Sequence, residues 1–156
     1  MKIIFLDIDG VLNKRFSKTH APSGCNGIEN ALLKRLAKII EETGAKVVLS
    51  STWKSEIDKN LRYITGDGKY MLNKFKYEGK FHLFDKTPDA SSCMMRGTEI
   101  DEWLSKRDNV ESFVILDDVD FDDFEVYGYT NKLVLTDPND GLTDEDVLLA
   151  IKILNK

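Results

Sequence analysis

Residues 3–6 read Ile-Ile-Phe-Leu and, after Asp7, the apolar character resumes at Ile8. Such a nearly unbroken run of β-branched and aromatic residues lacks the alternation of a half-exposed strand and marks one buried on both faces, as in the centre of a parallel sheet. A strand of that kind needs cover on both sides, which restricts the chain to α/β layers. The run leads straight into Asp7 and Asp9, followed by Gly10. In an open α/β sheet the ligand lies beyond the carboxyl ends of the strands, so these carboxylates stand where chemistry is expected, and Gly10 lets the turn close on what they hold. An Asp-x-Asp-Gly run is also ordinary turn chemistry, so its weight depends on the rest of the chain.

The remaining pattern supplies the other layers. Ile28, Leu32, Leu33, Leu36, Ile39 and Ile40 have helical spacing, with Gly44 as the stop, and predict a helix over 28–43. A second strand over 45–49 ends in Ser50-Ser51-Thr52, followed by a helix expected over 55–63. Gly66, Asp67 and Gly68 signal a turn, 69–78 has apolar weight without a period, and a strand is expected at about 80–84. Arg96 opens a helix with Ile100, Trp103 and Leu104 on its apolar face. A strand over 111–116 delivers Asp117 and Asp118, with Asp120, Asp122 and Asp123 close behind as an acidic loop or part of a metal site. A last strand over 132–136 precedes a turn with Asp137, which is given a structural role, and a helix capped by Thr143. Val147, Leu148, Ile151 and Leu154 are expected to face inward from that helix. The fold expected is a three-layer α/β sandwich with about five mainly parallel strands. One domain over 1–156 carries a short flap at about 12–27 and a small rim insertion at about 66–80.

Composition narrows the class. At 156 residues, with 42% hydrophobic and 31% charged, the chain has the material for one packed core. No apolar run approaches the roughly 20 residues of a membrane span, and Asp7 and Asp9 interrupt the N-terminal one, so a cytoplasmic protein is expected. Cys25 and Cys93 show neither a disulfide framework nor zinc-ligand spacing. The net charge of -5 argues against a dedicated nucleic-acid binder, although Lys14, Arg15 and Lys18 cluster in the flap and more lysines follow over 69–80. Solvated loops are the ordinary reading of such clusters, and His20 in the flap receives no role. No stable protein partner is predicted.

The strand followed by Asp7-x-Asp9-Gly10-Val11-Leu12 resembles motif I of the haloacid dehalogenase (HAD) superfamily of phosphohydrolases. The resemblance implies an HAD-like Rossmannoid fold, Asp7 as nucleophile on phosphorus and Asp9 as the acid that protonates the leaving oxygen. It assigns Ser50, at the end of the second strand, to motif II, whose hydroxyl holds a phosphoryl oxygen. Ser51 and Gly10 join it in binding substrate. Motif III, the cation that offsets repulsion between nucleophile and phosphate, falls on Arg96, with Lys86 as runner-up. Asp117 and Asp118 match motif IV, which supplies carboxylates to Mg²⁺. With Asp7 and the backbone carbonyl of Asp9 they would hold the cofactor, Asp118 directly and Asp117 behind it, the reverse remaining open.

The chemistry is coherent apart from the resemblance. A carboxylate beside a divalent cation stays ionised and can attack phosphorus, while a second carboxyl serves as acid and then as base for water. Hard cations take oxygen ligands, and magnesium needs only one or two protein carboxylates. Asp-Gly-Val-Leu-Asn, Ser-Ser-Thr-Trp-Lys and Arg-Gly-x-Glu-Ile-x-x-Trp-Leu narrow the resemblance to the small HAD domains of Swiss Army Knife RNA repair proteins. No lid of useful size fits before Ser50. A minimally capped site admits large phosphate esters, so a nucleic-acid terminal phosphate or a nucleotide is the expected phosphorylated substrate. A phosphotransferase using the same residues, and a phosphate-binding module without catalysis, are the alternatives. A response-regulator receiver is disfavoured, because it takes its phosphoacceptor from a later strand and ends its last strand in a lysine.

Overall fold

The computed structural model describes residues 1–90 and 95–156; Cys93 lies outside them. Five parallel strands, β1 (Lys2–Leu6), β2 (Lys46–Leu49), β3 (Asp85–Lys86), β4 (Ser112–Asp117) and β5 (Leu133–Leu135), form one sheet in the order β3-β2-β1-β4-β5. Among the described residues five α-helices accompany them: α1 (Asn30–Thr43), α2 (Gly66–Tyr77), α3 (Arg96–Ser105), α4 (Asp122–Val126) and α5 (Asp144–Leu154).

Alternation along β1 divides the interior. Ile4 and Leu6 enter one core with Leu32, Leu33 and Leu36 of α1, Phe75 of α2 and Val147 of α5. Ile3 and Phe5 enter the other, with Ile100 and Trp103 of α3 and Phe124 of α4. Successive strand residues point to opposite faces, so a strand apolar at every position fills both cores. The expected three-layer α/β sandwich with a parallel sheet is what the chain forms. No helix among the described residues is long and apolar enough to cross a membrane.

The segment between β2 and α3 departs from expectation. The helix predicted over 55–63 is replaced by a short 3₁₀ turn, Thr52–Glu56, and an irregular loop. There the Asp58 carboxylate accepts from the backbone N–H groups of Asn60 at 2.8 Å and Arg62 at 3.0 Å, an alternative that competes with helical bonding, and Leu61 takes φ 61°. The glycines read as a turn instead open α2, where the Thr65 side chain caps the helix by accepting from Gly68 N at 3.0 Å. The expected rim insertion is therefore mostly helix. The strand placed at 80–84 begins only at Asp85, because Lys80 turns the chain at φ 57° and Phe81 stacks on Phe75 with ring centroids 4.9 Å apart. Of the acids after β4, Asp122 and Asp123 open α4, and Asp120 stays in the turn before it. In α5 the capping box of Thr143 and Asp146 is present, but Leu148 faces outward at 63% exposure, and Ala150 and Ile153 take inward places.

Candidate active site

Strand register assembles the site. Leu6 of β1 pairs with Leu49 of β2 and with Leu116 of β4, so Ser50, Asp7 and Asp117 follow at the same level on three neighbouring strand ends. Backbone bonds carry the register onward, from Ser50 N to Leu6 O at 2.8 Å and from Asp7 N to Leu116 O at 2.9 Å. Adjacent strands lie about 4.8 Å apart, which brings residues distant in sequence within side-chain reach. Beyond them the chain turns at Gly10, whose φ of 78° suits glycine and whose Cα faces the Asp118 carboxylate so closely that a Cβ would collide with it.

Arg96, the first residue of α3, is buried between the strand ends. Its Nη1 lies 2.8 Å from Asp117 Oδ2 and 3.6 Å from Asp7 Oδ1 and donates to the carbonyl oxygen of Ser50. The guanidinium rests 5.0 Å from the Phe121 ring centroid. Asp123 fixes the first turn of α3, its Oδ2 accepting from Thr98 N at 2.8 Å and Oγ1 at 3.2 Å. Lys86 is not in the site, since its Nζ donates to the carbonyl oxygens of Lys54 and Ile57 at 2.9 and 2.7 Å and braces the loop after β2.

Asp7, Asp117 and Asp118 bring ligand oxygens within 4.8 Å of one another. Burial raises the Asp7 carboxyl to about 6 against the pull of Arg96 and the Ser51 hydroxyl. Asp117 is raised to about 8, first by burial and then by the charge of Asp7. Burial also raises Asp118. Carboxyls this close, with one guanidinium among them, resist full ionisation unless more positive charge is supplied, and a hard divalent cation fits that need. Both Asp117 oxygens are engaged, Oδ2 by Arg96 and Oδ1 by Val119 N at 3.0 Å, whereas Asp118 is only half-buried.

The neighbouring groups suit an anion. Ser50 is 1% exposed, and its Oγ has no hydrogen-bond partner among the described residues. An unpaired buried hydroxyl costs roughly 1–3 kcal/mol, so its persistence at this position suits a polar ligand. Ser51 Oγ accepts from Trp53 N at 3.3 Å and caps the 3₁₀ turn. Asp9 is exposed, and both its oxygens are held: Oδ1 accepts from Asn13 Nδ2 at 2.8 Å and Oδ2 from Trp53 Nε1 at 3.2 Å. Asn13 in turn accepts from Gly10 N at 3.0 Å, tying this side chain to the turn after β1.

Sequence reasoning assigned no role to three of these residues. Trp53 and Asn13 emerge as the donors to Asp9, a pairing across 44 positions for Trp53 that composition and periodicity do not signal. Lys54 is buried, with Nζ 2.7 Å from Glu99 Oε2 and 3.4 Å from Asp89 Oδ1. It lines a cavity of about 250 Å³ with Ser51, Arg96 and Glu99. Its position next to Trp53 was the available signal, but an isolated lysine after a turn is usually solvated. A separate cavity of about 340 Å³ is lined by Asp9, Asn13, Asp118 and Arg15 of the loop after β1. His20 pairs with Asn26 through an antiparallel bridge within the loop between β1 and α1.

A family model described as the HAD domain in Swiss Army Knife RNA repair proteins matches residues 3–147. No curated protein and no solved structure matches the chain.

Proposed function

This chain belongs to the family of HAD domains found in Swiss Army Knife RNA repair proteins, and from that membership we propose a Mg²⁺-dependent phosphomonoester hydrolase that works through an aspartyl-phosphate on Asp7. The observation that carries the reading is the unpartnered buried hydroxyl of Ser50 at the same strand level as Asp7 and Asp117. A phosphoryl oxygen placed there gives Ser50 its missing partner, with Arg96 offsetting the repulsion between substrate and Asp7. Ser51 and the backbone at Gly10 complete the anion's surroundings.

An Asp7 carboxylate oxygen attacks phosphorus, the bond to the leaving oxygen breaks, and that oxygen takes a proton from Asp9. Water then attacks the phosphoryl group and gives its proton to Asp9, releasing inorganic phosphate and restoring Asp7. Asp7, Asp118 and the backbone carbonyl of Asp9 would hold the metal, with Asp117 behind them binding Arg96. When bound, Mg²⁺ supplies positive charge that keeps Asp7 ionised and offsets the charge of the phosphate. The description of the family supports a nucleic-acid terminal phosphate as substrate, with a nucleotide as the smaller version of the same chemistry.

The test is phosphate release from p-nitrophenyl phosphate and from 3′- and 5′-phosphorylated oligonucleotides, with Mg²⁺ or EDTA, for wild type and Asp7→Asn. Release is expected only with metal, and a drop of at least about 10³-fold in the variant follows from losing the nucleophile. Turnover that persists in Asp7→Asn overturns the mechanism. Efficient turnover of a small sugar phosphate alone overturns the substrate assignment.

A further inference from the structure

The charge of this chain is unevenly placed. Residues 13–28 hold Lys14, Arg15 and Lys18 and no acid, and residues 59–80 hold six basic residues against Asp67 and Glu78. These stretches contain nine of the 22 basic residues and two of the 27 acids, leaving 13 basic residues against 25 acids elsewhere.

The fold joins the two stretches into one strip. Asp67, in the first turn of α2, accepts from Ser23 N at 2.9 Å and Ser23 Oγ at 2.6 Å. Tyr70 Oη accepts from Ile28 N at 3.0 Å, and Gly66 lies against Pro22. At one end, Arg15 shares the cavity beside Asp9. From the flap, α2 runs about 15 Å between Gly66 and Lys76, at roughly 1.5 Å per residue. It ends against a cavity of about 870 Å³ lined by Tyr63, Leu72, Phe75 and Leu83, with Arg62 and Lys76.

The strip is open for binding. Of the nine cations in the two stretches, only Arg62 has a carboxylate within ion-pair distance among the described residues, paired with Asp58 at 3.0 Å. Tyr63 and Tyr77 are more than half exposed, and Lys69 and Lys76 lie 5.7 and 5.0 Å from their ring centroids. The apolar residues Met71 and Phe75 of α2 are buried in the core, so the helix presents no apolar face to a lipid surface. Unpaired cations spaced along a strip with exposed rings match a polymer of phosphates and stacking bases.

We propose that this strip, from Arg15 along α2 to the Tyr63 cavity, is the binding path for the single-stranded flank of a phosphorylated nucleic-acid end. The placement of the terminal phosphate at Asp7 rests on the phosphohydrolase reading; the strip itself does not.

The two are tested separately. Binding of a fluorescent, terminally phosphorylated single strand of about eight nucleotides is followed by anisotropy across salt concentrations, using Asp7→Asn with Mg²⁺ so that the probe is not consumed. The same measurement is made on Asp7→Asn combined with Lys18→Gln, Lys69→Gln and Lys76→Gln, three exposed residues outside the site, and thermal midpoints check that both proteins fold. The triple change is expected to weaken binding about tenfold or more at moderate salt and to flatten the log-log salt slope by roughly 2, at about 0.7 per cation lost for single strands. In the protein with Asp7 intact it is expected to lower kcat/KM on the oligonucleotide by a similar factor and to leave p-nitrophenyl phosphate turnover within about twofold. Salt-dependent binding by a protein that turns over no phosphate ester would sustain the path while the phosphohydrolase reading fell. Unchanged oligonucleotide binding in the triple variant overturns the path, as does an octamer bound no more tightly than a mononucleotide. Lysine-dependent binding to anionic vesicles or polyglutamate without oligonucleotide binding overturns it as well.

Discussion

Trp53 links the loop after β2 to the turn after β1, and its indole N–H is one of two donors on Asp9. Each donor occupies one of its oxygens and together they fix its direction, so Asp9 must give up one of them to present a proton to a leaving group. Trp53→Phe removes the indole donor while retaining an aromatic ring. A lost bond to a charged group is worth about 1.5–3 kcal/mol, and the change is expected to lower kcat/KM on alkyl phosphates by about ten- to a hundredfold. A p-nitrophenyl ester, whose leaving group needs little protonation, is expected to respond far less. Equal effects on both esters would mean that Trp53 acts through packing alone. Arg96 sits among Asp7, Asp117 and the Ser50 carbonyl. Arg96→Ala leaves buried carboxyls without their cation, and destabilisation of on the order of 3 kcal/mol is expected in metal-free denaturation. Added Mg²⁺ should recover part of it.

Among the elements, α2 differs most from its reading in the sequence. Two glycines and an aspartate at its start have poor helix propensity, and its apolar residues do not follow a clean period. Tertiary contacts decide the matter: Thr65 caps the helix, and Gly68 lies so close to the Glu56 carbonyl oxygen that no Cβ fits. Gly68→Ala, benign in an ordinary helix, is therefore expected to destabilise the protein by about 1–3 kcal/mol, as overpacking does. Chemical denaturation measures this directly, and a stabilised variant would show that the close approach is unimportant. α1 was legible because its apolar residues repeat at helical spacing up to a left-handed Gly44 at φ 67°. The loop over 57–65 was not, because the Asp58 turn and the Ile57–Tyr63 bridge depend on side-chain bonds that propensity does not weigh.

At the scale of the molecule, the sheet concentrates buried carboxyls at one edge, and stability must depend on pH. Asp7 and Asp117 are raised from an ordinary 3.8 to about 6 and about 8. A carboxyl that holds its proton more tightly when folded contributes its full stability below the unfolded value and loses it as pH rises through the folded one. The metal-free protein should therefore melt at progressively lower temperature between about pH 4 and 8, from this contribution, and Mg²⁺ should raise the midpoint more at about pH 8 than at about pH 5. Scanning calorimetry with and without EDTA checks both, and a Mg²⁺ increment independent of pH would contradict the assignment. By itself, the sequence determined the parallel α/β architecture, since a strand apolar at every position has no stable place except between two layers. Through its resemblance to the HAD motifs it also brought Asp7, Asp9, Ser50, Arg96, Asp117 and Asp118 to attention, at or near strand ends that gather at one edge of such sheets. Only the tertiary structure decided that Lys86 braces a loop while Arg96 lies among the acids, that Trp53 and Asn13 hold Asp9, and that the start of α2 is tied to the loop after β1. Those relations are set by register and packing between segments far apart in the chain, which local pattern does not encode.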